Sequence, residues 1–182
     1  MHRKYLLNLL SNYHTTIPDE IAMRERMLTF VKQYANCFDR SLSVGHITGS
    51  AWVVNAKRNR VFLLHHRKLN KWLQPGGHSD GDPHTLDVAL RETQEESGVA
   101  ENFIRPVDQE IFDIDIHKIP EHKNETAHFH YDVRFLLEMD ENQKPVINEE
   151  SNELAWIDLD KIHTLTDEKS ITRMVLKTKR LG

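Results

Sequence analysis

The sequence predicts an α/β (α+β) fold: a mixed β-sheet flanked by helices and preceded by a helical extension. Three observations predict it. Period-two alternation runs through Ile111–His117 and Ala127–Met139, a helix with start and stop signals lies at 83–97, and the spacing changes near Gly45 from helical to strand-like. The expected division is a helical extension over 1–44 and one α/β domain over 45–182.

The N-terminal part is read from its spacing. Leu6, Leu9, Leu10 and Tyr13 recur at helical intervals, and Thr15 to Pro18 interrupts them. Asp19 and Glu20 suit a new helix start, after which Met27, Phe30, Val31 and Tyr34 follow the i, i+3, i+4, i+7 rule. Those apolar faces are expected to pack on the core or on a second subunit, which leaves a homodimer open.

Beyond Gly45, His46 to Val54 is rich in β-formers, Asn55 to Arg60 is turn material, and Val61 to Leu64 is a short buried strand. Pro75-Gly76-Gly77 reads as a breaker. In the two alternating segments Ile114 and Ile116 are flanked by Asp113, Asp115 and His117, while Phe129, Tyr131, Val133 and Phe135 interleave with His128, His130, Asp132 and Arg134. Leu154 to Ile157 is a further strand, and 159–164 and 167–179 read as helical.

Composition narrows the function classes. The chain has 182 residues, 38% hydrophobic and 29% charged, with a formal net charge of -4, which fits a soluble globular protein and offers no basic surface for DNA. The small basic end at Lys177, Lys179 and Arg180 reads as a solvated terminus. One cysteine, Cys37, excludes an internal disulfide. No apolar run reaches membrane-spanning length, so a cytoplasmic protein is expected.

The segment that carries chemistry is the helix at 83–97. Asp82 is placed as its N-cap, Pro83 as its first residue and Gly98 as its left-handed terminator. At about 3.6 residues per turn, Leu86, Ala89, Leu90 and Thr93 share the core side, and Glu92, Glu95 and Glu96 share an adjacent face. Three carboxylates at this spacing repel one another and oppose the helix dipole, so the arrangement costs stability and invites a hard cation such as Mg²⁺ or Mn²⁺. The plainer reading, a solvated acidic face, fits the same spacing. Arg91 can orient or neutralise one carboxylate.

These residues resemble the signature of the Nudix hydrolase family: Gly, five residues, Glu, seven residues, then Arg-Glu-aliphatic-any-Glu-Glu-any-Gly-aliphatic. Gly77, Arg91, Glu92, Glu95, Glu96, Gly98 and Val99 fall in register, while Pro83 takes the first Glu position and Thr93 the aliphatic one. Asp82, one residue earlier, is a candidate stand-in for that Glu. The resemblance extends through His46–Val54, Leu63–Arg67, Trp72–His78 and Glu153–Ile157, from residue 45 to about 178. It implies an α/β/α sandwich with a mixed sheet. It also implies metal-dependent hydrolysis of a pyrophosphate bond in a nucleoside diphosphate linked to another group, a small-molecule substrate. Glu92, Glu95 and Glu96 would hold the metal, and Arg91, Glu92 and Glu95 would serve catalysis, with Glu95 as base and Glu149 and Glu150 as candidates outside the signature. Trp72, Gln74, Gly77 and His78 would meet substrate. The competing reading is a non-catalytic nucleotide-binding or regulatory module of the same fold.

Twelve histidines need an account. His128, His130 and Asp132 alternate on one strand face, a spacing that suits zinc and equally suits a plain polar face. His65 and His66 are adjacent, so a strand turns them to opposite sides.

Overall fold

In the computed structural model, which describes residues 2–121 and 126–181, two helices precede the sheet: α1 (Lys4–Asn12) and α2 (Pro18–Gln33). Strands β1 (Gly45–Val54), β2 (Arg60–His66), β3 (Lys71–Leu73) and β4 (Gly76–His78) lead into α3 (Thr85–Ser97). Strands β5 (Ile104–Pro106), β6 (Asp113–Ile119), β7 (His128–Met139) and β8 (Ser151–Asp158) follow, and α4 (Lys169–Thr178) closes the chain after a 3₁₀ turn at Leu159–Thr164.

The sheet is mixed. Its spine runs β3-β2-β1-β7-β5, with β4 on β1, β6 on β7 and β8 on β2. β1 and β7 pair in parallel along their length, His46 opposite His130 and Ser50 opposite Arg134, and the other pairings are antiparallel. The parallel pair is covered on both sides, as parallel strands usually are.

Alternation along β1 sorts the two faces. Ile47, Ala51 and Val53 share one apolar cluster with Leu86 and Ala89 of α3, Leu6 and Leu10 of α1, and Met27 and Val31 of α2. Trp52 and Val54 point the other way, into a cluster with Ile162, Met174 and Val175. The N-terminal helices thus lie beside α3, and α4 covers the opposite face. The apolar side of residues 1–40 packs on the core. Among the described residues no helix is long and apolar enough to cross a membrane.

The start of α3 differs from the expectation. The helix begins at Thr85, with no side-chain cap, and Pro83 lies outside it. Asp82 is occupied locally: its Oδ1 accepts from the His84 N–H at 2.9 Å, an Asx turn that shapes the loop. Gly98, at φ 67°, ends the helix as expected, and its N–H donates to the Gln94 carbonyl. Pro75-Gly76-Gly77 is likewise more than a breaker. Gly76–His78 is a strand paired with Thr48–Ser50 of β1, and the Pro75 carbonyl accepts from the Ala51 N–H at 2.9 Å. Missing side chains allow this approach, since a Cβ on Gly76 would stand 2.1 Å from Ser50 Oγ.

Candidate active site

Two elements build the site: the strand β4, almost without side chains, and the face of α3 beside it. Gly49 and Gly77 pair across β1 and β4 and both face α3. A Cβ at Gly49 would meet the Thr85 carbonyl at 2.7 Å, and one at Gly77 would meet the Glu92 carboxylate at 2.4 Å. Glycine at both positions lets the helix lie close enough for its carboxylates to reach the strand backbone.

Glu96 is buried, 8% exposed, and one of its carboxylate oxygens accepts from the Gly76 N–H at 2.8 Å. Desolvation, and then the charges of Glu92, Glu150 and Glu95, outweigh that hydrogen bond and push its pKa up to about 8. Burial likewise raises the Glu92 pKa, against the lowering effect of Arg91. Arg91 bridges helix and strand, donating to the His78 carbonyl at 3.1 Å and to Glu92 at 3.2 Å. It also stands 4.0 Å from Glu95. Glu95 is the outlier, its side chain 63% exposed and open to water.

The three carboxylates therefore share a neighbourhood of α3 but not one depth. Among the described residues, the group of three His, Cys, Asp or Glu side chains whose ligand atoms all lie within 4.8 Å of one another is His46, His78 and His130. The carboxylates still fit a divalent ion in donor chemistry. They are hard oxygen donors, and Glu96 is a buried acid among acids, whose ionised form a cation would favour. Glu150, in the loop before β8, is close enough to α3 for its charge to act on Glu96; Glu149 has no such trace.

Other residues singled out in the sequence are distributed. Gly77 and His78 lie in β4, and Gln74, half-buried, leads into it. Trp72 in β3 packs partly against the α4-side cluster, with its ring 5.3 Å from His65. Asp132 does not join His128 and His130. It is taken up by Thr48 at 2.8 Å, Ser50 at 2.6 Å and Arg134 at 2.7 Å. His46 was absent from the sequence-derived candidates, although the polar alternation His46, Thr48, Ser50 along β1 signals that face. A hollow of about 800 Å³ lined by Tyr13, Phe112, Leu136 and Lys177 includes none of the predicted site residues.

A mixed sheet between helical layers, with a glycine strand laid against a carboxylate-bearing helix, defines an α/β/α sandwich that sets acidic groups against a strand backbone. The chain belongs to the NUDIX domain family, whose model matches residues 46–177. A curated relative from Lactococcus lactis subsp. cremoris, named as a probable DHNTP pyrophosphohydrolase, is 36% identical over 95 residues. That match takes in 52% of this chain and 55% of the relative, so the chain spans about half of that protein's length. The E. coli dihydroneopterin triphosphate pyrophosphohydrolase has a similar structure, with TM-score 0.57 and 17% identity over 75% of this chain and 96% of that one. The C. elegans Ap4A hydrolase is similar at TM-score 0.55 and 14% identity, over 74% and 96% of the respective chains. At these identities the structural likeness speaks for the fold.

Proposed function

We propose that this chain is a divalent-metal-dependent hydrolase that cleaves a pyrophosphate bond in a small nucleoside diphosphate derivative or a related pterin or nucleoside triphosphate. The observation that carries the reading is Glu96: a buried carboxylate held on the Gly76 amide, with Glu92, Glu95 and Glu150 acting on it. Such an acid is poised to change its charge state when a cation arrives. The names of the Lactococcus relative and of the E. coli and C. elegans structures point the substrate search in the same direction.

Glu92, Glu95 and Glu96 would hold Mg²⁺ or Mn²⁺, which supplies neutralisation of the diphosphate oxygens when bound. The chain's own residues do the rest. Arg91 fixes Glu92 and the β4 backbone relative to one another, so the acid face keeps its position against the strand. Glu95, exposed and beside Arg91, accepts the proton of the attacking water, with Glu150 as the alternative base. Gly77 leaves room for Glu92, and Gln74, which leads into β4, is the side chain proposed to meet substrate there, whereas Trp72, packed on the α4-side cluster, and His78, turned toward His46, face the other side of the sheet.

The test is a phosphate-release screen with Mg²⁺ over dihydroneopterin triphosphate, nucleoside triphosphates, dinucleoside polyphosphates and nucleotide sugars. A chelator-sensitive substrate is expected, and Glu95→Gln should lower its turnover by roughly two orders of magnitude or more. Full activity in excess chelator would refute the metal-dependent reading, and unchanged turnover in Glu95→Gln would move the base to Glu150.

A further inference from the structure

We infer that His46, His78 and His130 form a second metal site, for a borderline first-row divalent ion and for zinc above all, on the sheet face turned away from α3. The three side chains come from β1, β4 and β7, and their ligand nitrogens lie within 4.8 Å of one another. Nitrogens around tetrahedral zinc stand roughly 3.4 Å apart, given a Zn–N bond of about 2.1 Å. Small side-chain rotations therefore close the set.

Register places the rings together. His46 is opposite His130 in the parallel pair, and His78 is opposite Thr48, one step along the same face. Ring centroids are 4.7 Å apart for His46 and His130, 5.0 Å for His46 and His78, and 5.2 Å for His78 and His130. Gly77 turns toward Glu92, so His78 next to it projects from the opposite side of β4. The histidine site and the carboxylate face thus share a strand but not a side.

His46 is the second observation. It is 2% exposed, and neither ring nitrogen has a hydrogen-bond partner. A buried imidazole left with unmet polar atoms is destabilising, a cost that ligation would remove.

The donor set chooses the ion. Asp132, which might have added a carboxylate, is held by Thr48, Ser50 and Arg134, so the site offers imidazole alone and disfavours Mg²⁺. His128 Nε2, 3.4 Å from His130 Nε2, is a candidate fourth ligand, and its Nδ1 already meets the Thr126 carbonyl at 2.8 Å, an outer-shell partner of the kind that orients ligating histidines.

The test uses the full chain without a polyhistidine tag, stripped with chelator and titrated with Zn²⁺ in excess Mg²⁺ by calorimetry. Co²⁺ is then added as a spectroscopic probe. One equivalent of zinc and a visible Co²⁺ band of low-coordinate, nitrogen-ligated type are expected. His130→Gln and His78→Gln should each weaken zinc binding by more than about tenfold, while Glu96→Gln should leave it unchanged. Should His130→Gln fail to fold by circular dichroism, His78→Gln, on a short half-buried strand, carries the test alone. Absence of stoichiometric zinc, or zinc lost in Glu96→Gln and kept in His78→Gln, would overturn the site. None of these readouts depends on hydrolytic activity.

Discussion

The Glu96 carboxylate of α3 accepts the backbone N–H of Gly76 in β4 at 2.8 Å, and among the described residues this is the one hydrogen bond that compensates a carboxylate buried among other acids. Its consequence is a pH dependence of stability in the metal-free protein. The folded pKa, about 8, lies above the model-peptide value of 4.5, so between them the folded state binds a proton that the unfolded state has released. The stabilisation is complete below the unfolded value and is lost as pH rises through the folded one. Urea midpoints in excess chelator should therefore fall from about pH 5 to about pH 9, and Glu96→Gln should flatten the fall. An equally steep fall in the variant would assign the effect to another group.

Gly77 is sized for Glu92. An added Cβ would sit 2.4 Å from Glu92 Oε2, and the atom that must move is the end of a flexible side chain. Gly77→Ala should fold with near-native stability while displacing Glu92. A displacement of about 1 Å at a reacting centre costs roughly a hundredfold in rate, so turnover on the substrate found in the screen should fall by about that factor. A variant as active as the parent would show that Glu92 has no fixed task at this point.

Asp113 is a hub beneath α4. Its carboxylate pairs with Arg173 at 2.7 Å, Lys177 at 2.8 Å and Arg134 at 3.3 Å, and it is fully buried. These cations hold its pKa down in spite of burial. Asp113→Ala leaves Arg134, itself 3% exposed, with Asp132 and Asp115 as its carboxylate partners among the described residues. Breaking one side of a buried pair costs about 3–5 kcal/mol. Denaturant unfolding should show a loss of that order, and a loss near zero would mean that water replaces the missing carboxylate.

Much of this was legible in the sequence. Period-two spacing located β6 and β7, and the spacing of Arg91, Glu92, Glu95 and Glu96 put the acids on one side of α3. What the sequence did not display follows from long-range pairing. β4 looks like a turn because glycines lack strand propensity, yet they are needed for two close approaches at once. Helical spacing reports direction but not depth, so the contrast between buried Glu96 and exposed Glu95 depends on where β4 lies. The histidine group depends on the parallel register of β1 with β7, which no local pattern encodes.

The N-terminal helices should prove inseparable from the sheet. Leu6, Leu10, Met27 and Val31 are each 0% exposed in the cluster that includes Ile47 and Val133, and burying such a side chain contributes roughly 1.5–3 kcal/mol. Polar contacts join the same interface. Glu20 of α2 is fully buried, accepts from Tyr13 at 2.9 Å, and pairs with Lys177 and, at 3.2 Å, with Arg173 of α4. A chain begun at residue 45 would expose that apolar face and leave the two α4 cations short of a carboxylate, so it should aggregate or unfold rather than survive as a domain. In the full chain Leu10→Ala should cost about 2–5 kcal/mol, with helical circular dichroism and tryptophan fluorescence melting in one transition. Trp52 and Trp156 report on the sheet while α1 and α2 contribute to the helical signal, so two separated transitions would show that the extension folds apart from the sheet.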